Sequence, residues 1–94
     1  MEISQSDIIK ATAGRDQGKL FFVLEVEGEF LLLADGKTRK LENPKRKKRK
    51  HVAFAGRYEC RVADKLRTKE KITNSELRRA LAAFAGAGNP DQEG

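Results

Sequence analysis

Between Ile8 and Phe54 the apolar residues come in short bursts separated by polar or glycine-bearing turns, the rhythm of a small β-sheet. Ile8 to Ala13 reads as a first short strand, and Gly14 to Lys19 as a polar loop bracketed by two glycines. Leu20 to Val26 is a β-prone run, with Leu20, Phe22, Leu24 and Val26 on one face and Phe21 and Val23 on the other. Glu27-Gly28 is a candidate hairpin turn, with Phe30 to Ala34 as the return strand. Asp35-Gly36 is a strong two-residue hairpin signal, so Thr38 to Leu41 is expected to pair back before Asn43-Pro44 ends that strand. Val52-Ala53-Phe54 is a last apolar return. Short strands joined by tight turns predict a small, strongly curved antiparallel sheet or barrel. One face of Leu20–Val26 fills its interior, and the other needs a cover.

The cover is predicted near the C-terminus. Thr73-Asn74-Ser75-Glu76 fits a capping box, with Ile72 and Leu77 placed as a hydrophobic staple. Leu77, Ala80, Leu81 and Phe84 then repeat at helical spacing, predicting a helix over about 74–85 that lays this stripe on the sheet. Gly86 is placed to stop it. Residues 55–71 are ambiguous: Tyr58, Cys60 and Val62 alternate as in a strand, while Tyr58, Val62 and Leu66 keep helical spacing, and a helix or irregular segment is favoured. The expectation is one domain over 1–86 with a disordered tail over 87–94.

Charge changes the picture most. Residues 37–50 carry nine cations against one anion, Glu42: a local +8 in a chain of net +6, which leaves −2 for the rest. The basicity is thus a patch, and a concentrated positive field favours a polyanion through counterion release. The run Lys45 to Lys50 is read as a mobile arm. A solvated loop and a nuclear-localisation signal are its competing readings, and an anionic membrane surface is a third partner class, lacking an apolar anchor. The first residues lack the regions of a secretory leader, no apolar run is long enough to cross a bilayer, and Cys60 stands alone. These features point to a reduced, cytoplasmic setting with no internal disulfide. One His, one Cys and no glycine-rich phosphate loop leave no nucleophile–base pair and no metal set, so neither catalysis nor a cofactor nor a small-molecule substrate is expected.

The stretch Ala13 to Val26, with Gly18 after the first strand, resembles the KOW motif of ribosomal proteins and transcription elongation factors. Ala34 to Leu41, followed by Pro44 to His51, is similar to the small bacterial KOW-domain RNA-binding proteins, themselves similar to KOW-type large-subunit ribosomal proteins of archaea and eukaryotes. Thr73, Asn74 and Glu76 match the Thr-Asn-x-Glu helix with which such chains tend to end. The resemblance spans roughly residues 7–84. It implies an SH3-like barrel, mainly β with a C-terminal helix, that binds RNA and associates with the ribosome or ribosomal RNA.

The RNA-binding candidates are accordingly Arg15, Lys19, Lys37, Arg39, Lys40, Lys45, Arg46, Lys47, Lys48, Arg49, Lys50 and His51. Gly14, Gly18, Asp35 and Gly36 shape the loops. The Gly14–Lys19 loop and the Lys37–Lys50 segment are expected to share one side. Lysine bias suits backbone tracking rather than base reading, and folded RNA is favoured over plain duplex. No aromatic pair lies among the cations as a stacking platform, so little sequence specificity is expected. Each candidate has a plainer role: Arg15 and Asp16 can pair with each other, Gly18 can be purely structural, His51 can begin a strand, and Arg78 and Arg79 can be solvated. The rival function is a protein-interaction module of the translation or transcription machinery that uses the barrel edge or the C-terminal helix.

Overall fold

A computed structural model describes residues 2–87. Five strands form one antiparallel sheet: β1 (Ile8–Ala11), β2 (Leu20–Glu27), β3 (Phe30–Ala34), β4 (Lys45–Lys48) and β5 (Val52–Gly56), in the order β4-β3-β2-β1-β5. A single 3-10 turn, Arg49–His51, joins the two edge strands β4 and β5, and two helices follow, α1 (Arg61–Thr68) and α2 (Asn74–Ala87). The chain is mainly β, a small barrel-like domain with a C-terminal helix packed on it, as its hydrophobic rhythm predicts. The expected tail over 87–94 lies outside the described residues apart from Ala87, which is helical; α2 runs through Gly86 rather than stopping there.

The two faces of β2 make two cores. Phe21 and Val23 join Ile9, Ala11, Leu31 and Leu33 inside the curved sheet, all buried. Phe22 joins Ile8 and Ala34 beneath Val62 and Leu66 of α1 and Leu77, Ala80 and Leu81 of α2. Val26 departs from the face expected of it and packs with the interior set. The register explains this: Val23 pairs with Leu33 and Glu25 with Leu32, which makes Leu24 an extra residue, and a bulge flips every side chain after it. The first hairpin turn is also displaced by one residue from expectation. Glu27 pairs with Phe30 across Gly28-Glu29, with Gly28 at φ 62° supplying the left-handed bend.

The larger correction concerns residues 35–50. Thr38–Leu41 forms no strand, and Pro44 precedes a strand instead of ending one. The strand that pairs back on β3 is the cationic run itself, Lys45–Lys48, in register with Leu33, Leu32, Leu31 and Phe30. Asp35-Gly36 opens a wider loop, closed by the amides of Asp35 and Gly36 donating to the Arg39 carbonyl at 2.9 and 3.0 Å.

That loop is seated on α2. The capping box forms as predicted: the Glu76 amide donates to Thr73 Oγ1 at 3.1 Å, and the Thr73 amide to Glu76 Oε1 at 2.9 Å. Asn74, the next residue, accepts from the Leu41 amide at 2.8 Å and donates to Glu42 Oε1 at 2.8 Å. Lys65 of α1 reaches the same Glu76 at 3.0 Å, tying the helices together. Gly36, at φ 79°, is buried so closely against α2 that a Cβ would be driven into the Asn74 carbonyl. Gly36→Ala should therefore combine left-handed strain of roughly 1–2 kcal/mol with a backbone clash, and lower stability by more than about 2 kcal/mol. Gly28→Ala, where a Cβ meets nothing, should cost only the strain. Thermal unfolding of the two variants side by side checks the difference.

Candidate nucleic-acid interface

Two contacts bring the two basic segments together. On β4, the pleat sends Lys45 and Lys47 to the side of their cross-strand partners Leu33 and Leu31, and Arg46 and Lys48 to the side of Leu32 and Phe30. From the first side, Lys47 Nζ donates to the Ala13 carbonyl at 2.8 Å, next to Gly14 at φ 82°. From the Asp35 loop, Arg39 Nη2 lies 3.5 Å from Asp16 Oδ2. Lys19 approaches the other oxygen of Asp16 at 3.9 Å. Asp16 is buried, so it acts as a counter-charge held beneath the cations. Arg15 and Asp16, for which mutual pairing is the plainer alternative, do not pair, which leaves Arg15 exposed and, among the described residues, without an ion-pair partner.

The remaining cations divide by what holds them. Arg49 Nε donates to the Gly28 carbonyl at 3.0 Å, and Arg46 pairs with Glu27 at 3.6 Å. Lys37, Lys40 and Lys50 are exposed and Lys45 is half-buried; among the described residues none of the four side chains has a hydrogen-bond or ion-pair partner. The run expected to be a mobile arm is thus strand and turn, with some cations anchored and others presented. His51 takes the strand-start role: its carbonyl accepts from the Thr12 amide at 2.9 Å, just before β5. Arg78, on the polar side of α2, donates to the Gly36 carbonyl at 2.7 Å. Lys19, Lys37 and Arg78 line a shallow groove of about 390 Å³ between the first loop, the Asp35 loop and α2.

The Asp35 carboxylate organises the loop that carries Lys37 and Arg39. Its Oδ1 accepts from the Lys37 amide at 2.9 Å and the Arg39 amide at 2.8 Å, and its Oδ2 from the Thr38 hydroxyl at 2.9 Å. Burial alone would raise this carboxyl, but the Arg39 and Lys37 amide bonds and the Thr38 hydroxyl outweigh it and hold it below its ordinary value. Glu42 is likewise lowered, chiefly by the Asn74 side chain, and Glu76 by Lys65 and then by the Thr73 amide.

Asp16, Asn74 and Phe30 are the contributors that the sequence does not announce. Asp16 and Asn74 reach the site through loops that only the fold brings near. Phe30 reads as an ordinary strand residue, yet it lies outside both apolar cores, half-buried, with the Arg46 guanidinium 4.2 Å and the Lys48 ammonium 5.8 Å from its ring centre. An aromatic does stand among the cations, and pairing across the β3–β4 register is what puts it there.

Three carboxyls with lowered values give the basic loop a defined acid sensitivity. Their stabilisation is complete above the unfolded carboxylate range near pH 4 and is lost as pH falls through their lower folded values. Asp35→Asn keeps an acceptor oxygen but loses its charge. It should cost about 1 kcal/mol near pH 7, a discounted figure because the loop is partly exposed. The gap from the unmodified protein should begin to close as pH falls below about 4, where the carboxyl of the unfolded chain becomes neutral, and finish closing once folded Asp35 is protonated at its lower value; unfolding followed across pH 2–7 checks it. Compared with models of known protein families and with curated proteins, the chain matches none.

Proposed function

We propose that the protein is a non-catalytic RNA-binding domain of the KOW kind. It works in the cytoplasm and associates with the ribosome or another structured RNA mainly through phosphate contacts. The observation that carries this reading is the joining of the Gly14–Lys19 loop to the Lys37–Lys50 segment by the Lys47–Ala13 and Arg39–Asp16 contacts. That joining gathers Lys19, Arg39 and Lys47, cations from three separate segments, around the first loop. Preorganised cations already bear their mutual repulsion in the free protein, so a polyanion relieves it on binding and releases counterions as well.

The architecture also bears on the rival reading. The apolar stripe of α2 is spent on the sheet, with Leu77, Ala80 and Leu81 buried and Phe84 packed against the same cluster. The helix offers solvent Arg78 and Arg79 and then the small side chains of Ala82, Ala83 and Ala85, which give a partner helix or groove little large apolar surface to grip. Among the described residues no helix is long and apolar enough to cross a membrane.

If about six phosphates are neutralised, log K should fall with log salt at a slope of roughly −4 to −5. The Lys37, Lys40, Lys45 and Lys50 side chains make no hydrogen bond or ion pair among the described residues, and Gln retains much of the length of each stem, so replacing all four with Gln should leave the melting temperature nearly unchanged. The slope should flatten by roughly 3 units. On a ribosome gradient the unmodified protein should travel with a ribosomal particle at low salt, and the fourfold variant should stay at the top. Equal co-migration of both would overturn the phosphate reading. Failure of the unmodified protein to leave the top would overturn the ribosomal one.

A further inference from the structure

Phe30 is anomalous for its position. It and Leu32 lie on the outer side of β3, away from the interior that Leu31 and Leu33 fill, and neither α1 nor α2 covers them. The bulge at Leu24 sets the acidic residues Glu25 and Glu27 on that same outer side, paired with Leu32 and Phe30. Across β4, Arg46 pairs with Leu32 and Lys48 with Phe30. The ring is thus bordered by cations on one flank and carboxylates on the other.

Arg46 is held in place from both ends. Its guanidinium lies 4.2 Å from the centre of the Phe30 ring, and Glu27 binds it at 3.6 Å. Its side chain nevertheless remains 60% exposed, which leaves the guanidinium open on its outer side. A planar cation fixed on an aromatic ring and open to water is a surface on which another flat, polarisable group can stack. With Lys48 within 5.8 Å of the same ring, a ligand that stacks there also meets a positive charge one step along the strand. A flat ring with an anionic linker attached describes one unit of a nucleic acid strand whose base is not paired.

We infer that Phe30 and Arg46 form a stacking site for one unpaired nucleobase, with Lys48 taking the adjoining phosphate. This rests on the RNA-binding reading and refines it, because the target must then expose a base from a bulge, loop or strand end beside the phosphates tracked by β4 and its loops. Stacking is tolerant of base identity, so the site selects unpaired over paired structure and not one sequence over another. Glu27 positions Arg46 and does not touch the ligand.

The test compares two single strands of about twelve nucleotides, one oligoadenylate and one fully abasic, with equal phosphate numbers. Binding is read by fluorescence anisotropy at low salt. The unmodified protein should bind oligoadenylate about tenfold tighter than the abasic strand. Phe30→Leu keeps an apolar side chain, and Arg46→Lys keeps the charge while removing the plane. Each should lose most of that preference while holding the abasic strand about as well as before. Circular dichroism melts confirm that both variants are folded, and Lys10→Gln, exposed on β1 beside the opposite edge strand, serves as a charge control that should keep the preference. Equal binding of the two strands by the unmodified protein, or a preference that survives in both variants, overturns the stacking site and leaves the phosphate reading intact. No binding to either strand overturns both.

Discussion

Six like charges in a row are the constraint that the rest of this molecule accommodates. Same-side neighbours on a strand are about 7 Å apart, and two unit charges at that distance repel by roughly 0.6 kcal/mol even in water-like surroundings. The pleat answers first, sending Lys45 and Lys47 to one side of β4 and Arg46 and Lys48 to the other. The 3-10 turn then swings Arg49 to His51 off the strand line. Local counter-groups answer next: the Ala13 and Gly28 carbonyls, the Glu27 carboxylate and the Phe30 ring each take up a cation. A central strand could not do this, because both of its faces and both of its edges would be covered. At the sheet edge, water and side-chain length do the rest.

The same constraint accounts for the supports around β4. A charged strand has weak intrinsic reason to form, since lysine is a poor strand former. Its entry is therefore fixed from outside, through Asn74 holding Leu41 and Glu42, and through Gly36 lying flush against α2. The capping box that starts α2 thereby bears on the site: it sets where Asn74 stands, and Asn74 sets where the basic segment begins. The Thr-Asn-x-Glu pattern is one unit, with Thr73 and Glu76 closing the helix end and Asn74 facing outward to the loop.

Those dependencies mark what could be read from the sequence and what could not. β2, β3 and α2 were legible because their signals are local: a β-branched and aromatic run, a glycine at the turn, a capping box followed by a stripe at helical spacing. The strand character of Lys45–Lys48 was not, because it arises from pairing with Leu33 to Phe30 and overrides the residues' own preferences. Asp35-Gly36 looked like a two-residue hairpin because the dipeptide usually makes one. Here three hydrogen bonds to the Asp35 carboxylate widen the turn, and docking on Asn74 gives Gly36 its reason. The face reversal at Val26 follows from one bulge, which is a property of register and so invisible in a single strand's alternation. The candidate site divides in the same way. Its charge was plain from composition, whereas the burial of Asp16 and the position of Phe30 depend on which strands become neighbours.

Lysines on an edge strand have a general use that involves no ligand, which is to keep other chains from adding to the sheet. That use explains why β4 tolerates charge, but it asks only for charge, and Glu serves it as well as Lys. It does not ask for nine cations against a single anion in residues 37–50, with a remainder of the chain that sums to −2. Nor does it ask the Gly14–Lys19 loop and the Asp35 loop to meet β4 around a buried carboxylate. Edge protection and polyanion binding are thus compatible on β4 itself, and they part company at Arg39 and Lys19, whose cations are drawn toward the same side from other segments at the cost of burying Asp16. A mainly positive surface assembled from separate parts of the chain goes beyond what a guarded edge asks for and suits the polyanion proposed for it.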